Sequence, residues 1–117
     1  MSILRRGSVI DVNLDPTLGS ETGKIRPCSV VTNDIYNKRL PVVQVVPITA
    51  WSEKKSAIIT NVTISPSDQN GLAKVSIADC LQTRPIDHRH RLVRMRGQIS
   101  AEVLEEIDTA LRIVFAL

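Results

Sequence analysis

LPVVQVVPIT, Leu40 to Thr49, is the most apolar run in the chain, with four valines and an isoleucine in ten residues. Its β-branched content and lack of polar alternation read as a central strand. Pro47 lacks an N–H, so the end of this strand must be an edge or a bulge. Upstream, CSVVT (Cys28–Thr32) reads the same way, and SVIDVNL (Ser8–Leu14) alternates Ile10, Val12 and Leu14 with Asp11 and Asn13, the period of a half-buried strand. Between them DPTLGSETGKIRP (Asp15–Pro27) holds two glycines and two prolines, which predicts a long mobile loop. Downstream, AIITNVTI (Ala57–Ile64), VSIADCL (Val75–Leu81) and LVRMRGQI (Leu92–Ile99) read as further strands, with Asn70-Gly71 as a turn and Gly97 as a bulge or bend. The period then changes. Ser100 can cap a helix with Glu102 in its first turn, and Val103, Ile107, Ala110, Leu111 and Val114 share one face. Six or seven short strands and a closing helix predict a small closed or partly closed β-barrel.

Composition narrows the function classes. At 117 residues, 43% hydrophobic and 23% charged, the chain fits one ordinary domain, residues 1–117, with no linker or repeat. It holds no apolar run long enough for a membrane helix, and MSILRRGSVIDV has no secretory h-region. Cys28 and Cys80 are too few for a disulfide framework or a zinc knuckle, so a reduced, cytoplasmic protein is expected. The net charge of +3 divides unevenly: residues 100–117 carry four acidic residues against Arg112, while residues 1–99 carry 14 Lys/Arg against 8 Asp/Glu. Arg84, Arg89, Arg91, Arg94 and Arg96 fall close together, interleaved with His88 and His90. Such a cluster suits a phosphate backbone, and suits a merely solvated strand and loop equally well.

No nucleophile elbow, zincin helix, P-loop or dinucleotide fingerprint is present. His88 and His90, two apart, would share a strand face but do not complete a metal site. Cys80 fits a small core residue. Two polar residues at strand ends remain. Arg26 follows the long loop in GKIRP, where a guanidinium can fork two hydrogen bonds to a phosphate; a surface ion pair with Glu21 or Asp34 is the plainer use. Thr49 ends the most apolar strand, well placed to meet a ligand, or is there for β-propensity alone.

At these residues the chain resembles the MazF/PemK family of bacterial toxin endoribonucleases. The likeness runs through Arg5–Asn37, VVPIT (Val45–Thr49), GLAKVSIADCLQTRPIDHRHRL (Gly71–Leu92) and Gly97–Leu117 with its D-x-A-L-R-I run, nearly the whole chain in order. It implies a dimer of SH3-like barrels that cleaves single-stranded RNA without a metal or other cofactor. It places the catalytic arginine at Arg26 and the catalytic threonine at Thr49, with RNA contacts at Ser20, Asn33 and Gln82 and a further phosphate contact at Lys24. A cognate antitoxin with an acidic tail is the implied partner. Two departures bear on sequence preference: the residue before Gln82 is the apolar Leu81, and the Trp51–Lys55 loop falls in a variable region. His88 and His90 lie outside the family's catalytic positions, which leaves the general base unnamed. The competing readings are a gyrase-inhibiting toxin like CcdB and a non-catalytic nucleic-acid-binding barrel. With only Tyr36, Trp51 and Phe115 as aromatics, RNA would be held through arginine, backbone and short polar groups, with Trp51 alone placed to stack.

Overall fold

The computed structural model describes residues 4–117. Seven strands form one antiparallel system: β1 (Ser8–Asn13), β2 (Ile25–Val30), β3 (Val42–Ala50), β4 (Asn61–Ile64), β5 (Ser76–Asp79), β6 (Arg84–Asp87) and β7 (Leu92–Gln98). The order across the sheet is β4-β5-β3-β2-β1-β7, with β6 also on β3. The sheet does not close on itself, so the barrel expected from the strand pattern is an open, curled one. Three single helical turns, α1 (Asp34–Asn37), α2 (Glu53–Ser56) and α3 (His88–Arg91), join strands, and α4 (Ala101–Phe115) ends the chain.

β3 organises this arrangement, as its composition predicts. β2 covers one edge, and the other edge is shared: β6 pairs with Val42–Val45 and β5 with Ile48–Ala50. Val43 and Val45 enter one apolar cluster with Ile10, Val12, Leu14, Cys28, Val30 and Ile86. Val46 and Ile48 enter a second, with Val62, Ile64, Ala78, Cys80 and Ile107. With both faces buried, the run has no polar alternation. Pro47 does not end the strand. It lies opposite Cys28 in the β2 ladder, between the β6 and β5 pairings, so the strand passes through it to Ala50. Its missing N–H falls where β3 changes partner.

Other departures have local causes. The expected strand at Ala57–Ile64 is realised only at Asn61–Ile64, because Ser52 caps α2 through the Lys55 N–H and turns the chain first. Ile58 and Ile59 are left exposed. Val75–Leu81 shortens to β5 and a 3-10 turn over Cys80–Gln82. His88 and His90 sit on α3, one helical turn rather than a strand. Two register shifts interrupt the β1–β7 pairing, and the first falls beside Gly97, where a Cβ would lie 2.0 Å from the Gln69 carbonyl oxygen. α4 keeps its predicted face and cap: Ser100 Oγ accepts from the Val103 N–H at 3.2 Å, and Ile107 and Ala110 are buried. Arg6 fastens the helix to the sheet by pairing with Asp108 while its Nε donates to the Val31 carbonyl at 3.1 Å.

Candidate active site

The β2–β3 ladder pairs Val30 with Val45, Ser29 with Val46 and Cys28 with Pro47. The paired ladder ends at Cys28 and Pro47; Arg26 lies two residues past that end on β2, and Thr49 two residues past it on β3, where β3 has turned to pair with β5. With the strand period of two, Arg26 falls on the Cys28 face of β2 and Thr49 on the Pro47 face of β3, so the two side chains singled out in sequence leave the end of the ladder on the same side. Both are half-buried. Arg26 Nε donates to the Gly23 carbonyl at 3.3 Å, which orients the guanidinium. Its two Nη groups make no hydrogen bond among the described residues, and this is the fork that matches two phosphate oxygens.

The loop leading into Arg26 is fastened rather than mobile. At its neck the Leu14 N–H donates to the Lys24 carbonyl and the Lys24 N–H to Asp15 Oδ1, both at 2.9 Å. Lys24 takes a left-handed conformation there, with φ of 65°, and its side chain is exposed. Arg91 Nη1 donates to the Asn13 and Asp15 carbonyls at 2.9 and 2.6 Å, and Arg84 Nη1 to the Leu14 carbonyl at 2.9 Å. At the tip, Gln82 Oε1 accepts from the Thr22 N–H and Gln82 Nε2 donates to the Ser20 carbonyl, each at 3.2 Å. Arg26, Lys24, Ser20 and Gln82 therefore form one group linked through this loop. Asn33 does not join it. Four residues of strand, roughly 13 Å at 3.3 Å each, separate Arg26 from Val30, and Asn33 lies beyond, capping α1 by accepting from the Ile35 N–H.

The arginine cluster is mostly spent inside the molecule. Asp11, a buried carboxylate on β1, accepts from Arg94 Nε at 2.7 Å and from Arg96 Nε at 2.6 Å. With Arg84 and Arg91 on the loop neck, four of the five arginines hold β1 and its loop. Arg89 alone is engaged only with the neighbouring Asp87, 3.7 Å away. The roles of Asp11, Asp15, Arg84 and Arg91 were not assigned in sequence. The alternating strand pattern marks Asp11 as outward-facing, and only the pairing of β1 with β7 shows otherwise.

Burial pushes the thiols of Cys28 and Cys80 up to about 12, so neither supplies a thiolate near neutrality. The unfolded chain loses these protons near the ordinary value of 9.0, whereas the folded chain keeps them to about pH 12. Folding stability from this source is complete below pH 9 and falls between 9 and 12. Iodoacetamide at pH 8 is expected to label neither cysteine in the native protein and both in urea, as read by mass spectrometry. Rapid native labelling of either would contradict their burial. Among the described residues, no group of three His, Cys, Asp or Glu is placed to hold a metal ion. Nor, among these residues, is any helix long and apolar enough to cross a membrane. All three aromatics lie on the surface, Trp51 two residues beyond Thr49.

This architecture is shared with solved toxin structures. MazF from Deinococcus radiodurans superposes with a TM-score of 0.83 over all of both chains at 24% identity. An endoribonuclease from a mycobacterial species, solved in complex with its cognate antitoxin, gives 0.77 over 97% of this chain and 96% of that one, at 22% identity. At such identities the likeness is one of fold. In sequence, residues 5–115 match the model for the PemK-like, MazF-like toxin of type II toxin-antitoxin systems. The endoribonuclease EndoA of Bacillus subtilis (strain 168) is 36% identical over 115 residues, 98% of this chain and 97% of that protein. The chain belongs to the PemK-like, MazF-like toxin family.

Proposed function

We propose that this toxin is an endoribonuclease that cuts single-stranded RNA at short sequences, with Arg26 and Thr49 as its catalytic pair. The observation that supports the reading is that Arg26, its guanidinium oriented by Gly23, and Thr49 each lie two residues past the paired end of the β2–β3 ladder. The RNA's own 2′-OH serves as nucleophile, so the protein supplies none, and the chemistry is restricted to RNA. That oxygen attacks the adjacent phosphorus, the bond to the 5′-oxygen of the next nucleotide breaks, and the products end in a 2′,3′-cyclic phosphate and a 5′-hydroxyl. Charge grows on the non-bridging oxygens as phosphorus becomes five-coordinate. The Arg26 Nη groups donate to those oxygens, and Thr49 Oγ1 adds a third donor. Donors held in place beforehand stabilise the transition state without reorganisation cost.

Ser20, Lys24 and Gln82 lie on or against the loop beside this pair and contact the strand's phosphates and bases. Asn33, at the far end of β2, contacts RNA further along, or on the second subunit of a homodimer. The reaction as written calls for no metal or other cofactor. A cognate antitoxin with an acidic tail is the expected inhibitor, and the cytoplasm is the expected site of action. The test is incubation of a defined single-stranded RNA pool with the protein in excess EDTA. Discrete cuts carrying cyclic phosphate ends are expected, and an intact pool, or cutting only after divalent metal is restored, would contradict the reading.

A further inference from the structure

We propose that the tip of the β1–β2 loop occupies its own recognition site in the free protein. RNA then enters by exchanging the loop's peptide groups for a base on the Gln82 carboxamide. This rests on the ribonuclease reading and adds a step to it. A glutamine carboxamide presents one acceptor beside one donor, the edge that pairs bidentately with a nucleobase. Here both ends of that edge are already used, the oxygen on the Thr22 N–H and the nitrogen on the Ser20 carbonyl. The peptide groups of residues 20 and 22 thus stand where a base edge would pair, and Gln82 cannot read a base until they leave.

The fastening is uneven along the loop. Its neck is tied through the Lys24 and Asp15 hydrogen bonds and the guanidinium groups of Arg84 and Arg91. Gly23 is tied to Arg26. Among the described residues, the two bonds to Gln82 are the only hydrogen bonds joining residues 18–22 to the rest of the molecule. The others are internal, from the Leu18 N–H to Glu21 Oε1 and from the Glu21 N–H to the Leu18 carbonyl. Within the tip, Gly19 sits at φ of 54° with open space around it, so the backbone can rotate there at little steric cost. Opening would leave the hydrogen bonds of the neck in place. Under the latch lies a cavity of about 300 Å3 with Glu21 and Thr22 on the loop side and Gln82, Thr83 and Arg84 opposite. Release of the tip widens that cavity, because one wall is the tip itself.

The experiment separates the latch from the RNA contact by breaking it from the loop side. Thr22→Pro removes the N–H that Gln82 accepts while leaving Gln82 intact. It is expected to lower KM for single-stranded RNA about three- to tenfold, the worth of one ordinary hydrogen bond, with the effect in KM rather than kcat. Thr22→Gly, which only loosens the tip, should move KM the same way by less, and Gln82→Ala should raise it. In parallel, amide exchange at Thr22 should accelerate about tenfold in Gln82→Ala, while the Leu14 and Lys24 amides keep their protection. A KM that rises or stays put in both Thr22 variants would overturn the proposal, since the closed loop would then be part of the site and not its occupant. Unchanged Thr22 exchange in Gln82→Ala would overturn the latch itself. A wild-type protein that cleaves no RNA would instead end the ribonuclease reading, and the exchange measurement would still decide the latch.

Discussion

Arg26→Ala is expected to lower the rate of RNA cleavage by about 10²–10³-fold, the usual loss when one fixed transition-state donor is removed. Its fold should be unaffected, because Arg26 is half-buried and its side chain makes one hydrogen bond, to the loop carbonyl of Gly23. Arg26→Lys should recover little. A lysine supplies a point charge without the fork, and no Nε to be oriented by Gly23. Thr49→Ala removes a single neutral donor and should cost less than Arg26→Ala. Single-turnover cleavage with thermal unfolding in parallel checks all three variants. Wild-type cleavage by Arg26→Ala would remove the residue from the mechanism.

The largest effect on stability is expected at Asp11, on β1 next to the residue that pairs with Arg26. Its carboxylate is held by two guanidinium groups, and Arg96, only 20% exposed, also donates to the Gly71 carbonyl at 2.8 Å. Asp11→Asn leaves Arg96 partly buried without its counter-charge, which should cost about 2–3 kcal/mol. The cost is moderated because Arg94 is 61% exposed and can turn to water. Urea unfolding measures it. Adding Arg96→Gln to Asp11→Asn should recover part of the loss, since the orphaned charge is then gone. An unchanged midpoint for Asp11→Asn would show that the pair contributes nothing to holding β7 on β1.

The parts of this molecule that were legible in the sequence are those set by local pattern. β3 declares itself by burial on both faces, β1 by alternation, and α4 by its cap and stripe. β6 was not legible, because Arg84–Asp87 buries one apolar residue, Ile86, and a single residue carries no period. Pro47 misled for a related reason. Its cost depends on which strand faces it, and that is a property of the sheet. The loop from Asp15 was correctly placed, yet its mobility was overstated. The groups that fasten it, Gln82, Arg84 and Arg91, lie 60 to 78 residues away, beyond the reach of local composition. The sequence left the arginine cluster open between a phosphate partner and a solvated strand and loop. Its density suited a polyanion, and four of its five members serve β1 and the loop instead. Arg26 and Thr49 came from resemblance; that each lies two residues past the paired end of the β2–β3 ladder is a property of the sheet that a spacing of 23 residues does not reveal.

The central claim is that RNA supplies its own nucleophile while Arg26 and Thr49 stabilise the phosphorus centre. The most direct measurement takes an RNA oligonucleotide that the wild-type protein cuts once. It is compared with the same oligonucleotide carrying 2′-deoxyribose only at the nucleotide whose 2′-OH would attack, both in excess EDTA. The account predicts cleavage of the first to a 2′,3′-cyclic phosphate and a 5′-hydroxyl, and no cleavage of the second at that position. Cutting of the deoxy-substituted strand at the same bond, with a 5′-phosphate on the product, would contradict it.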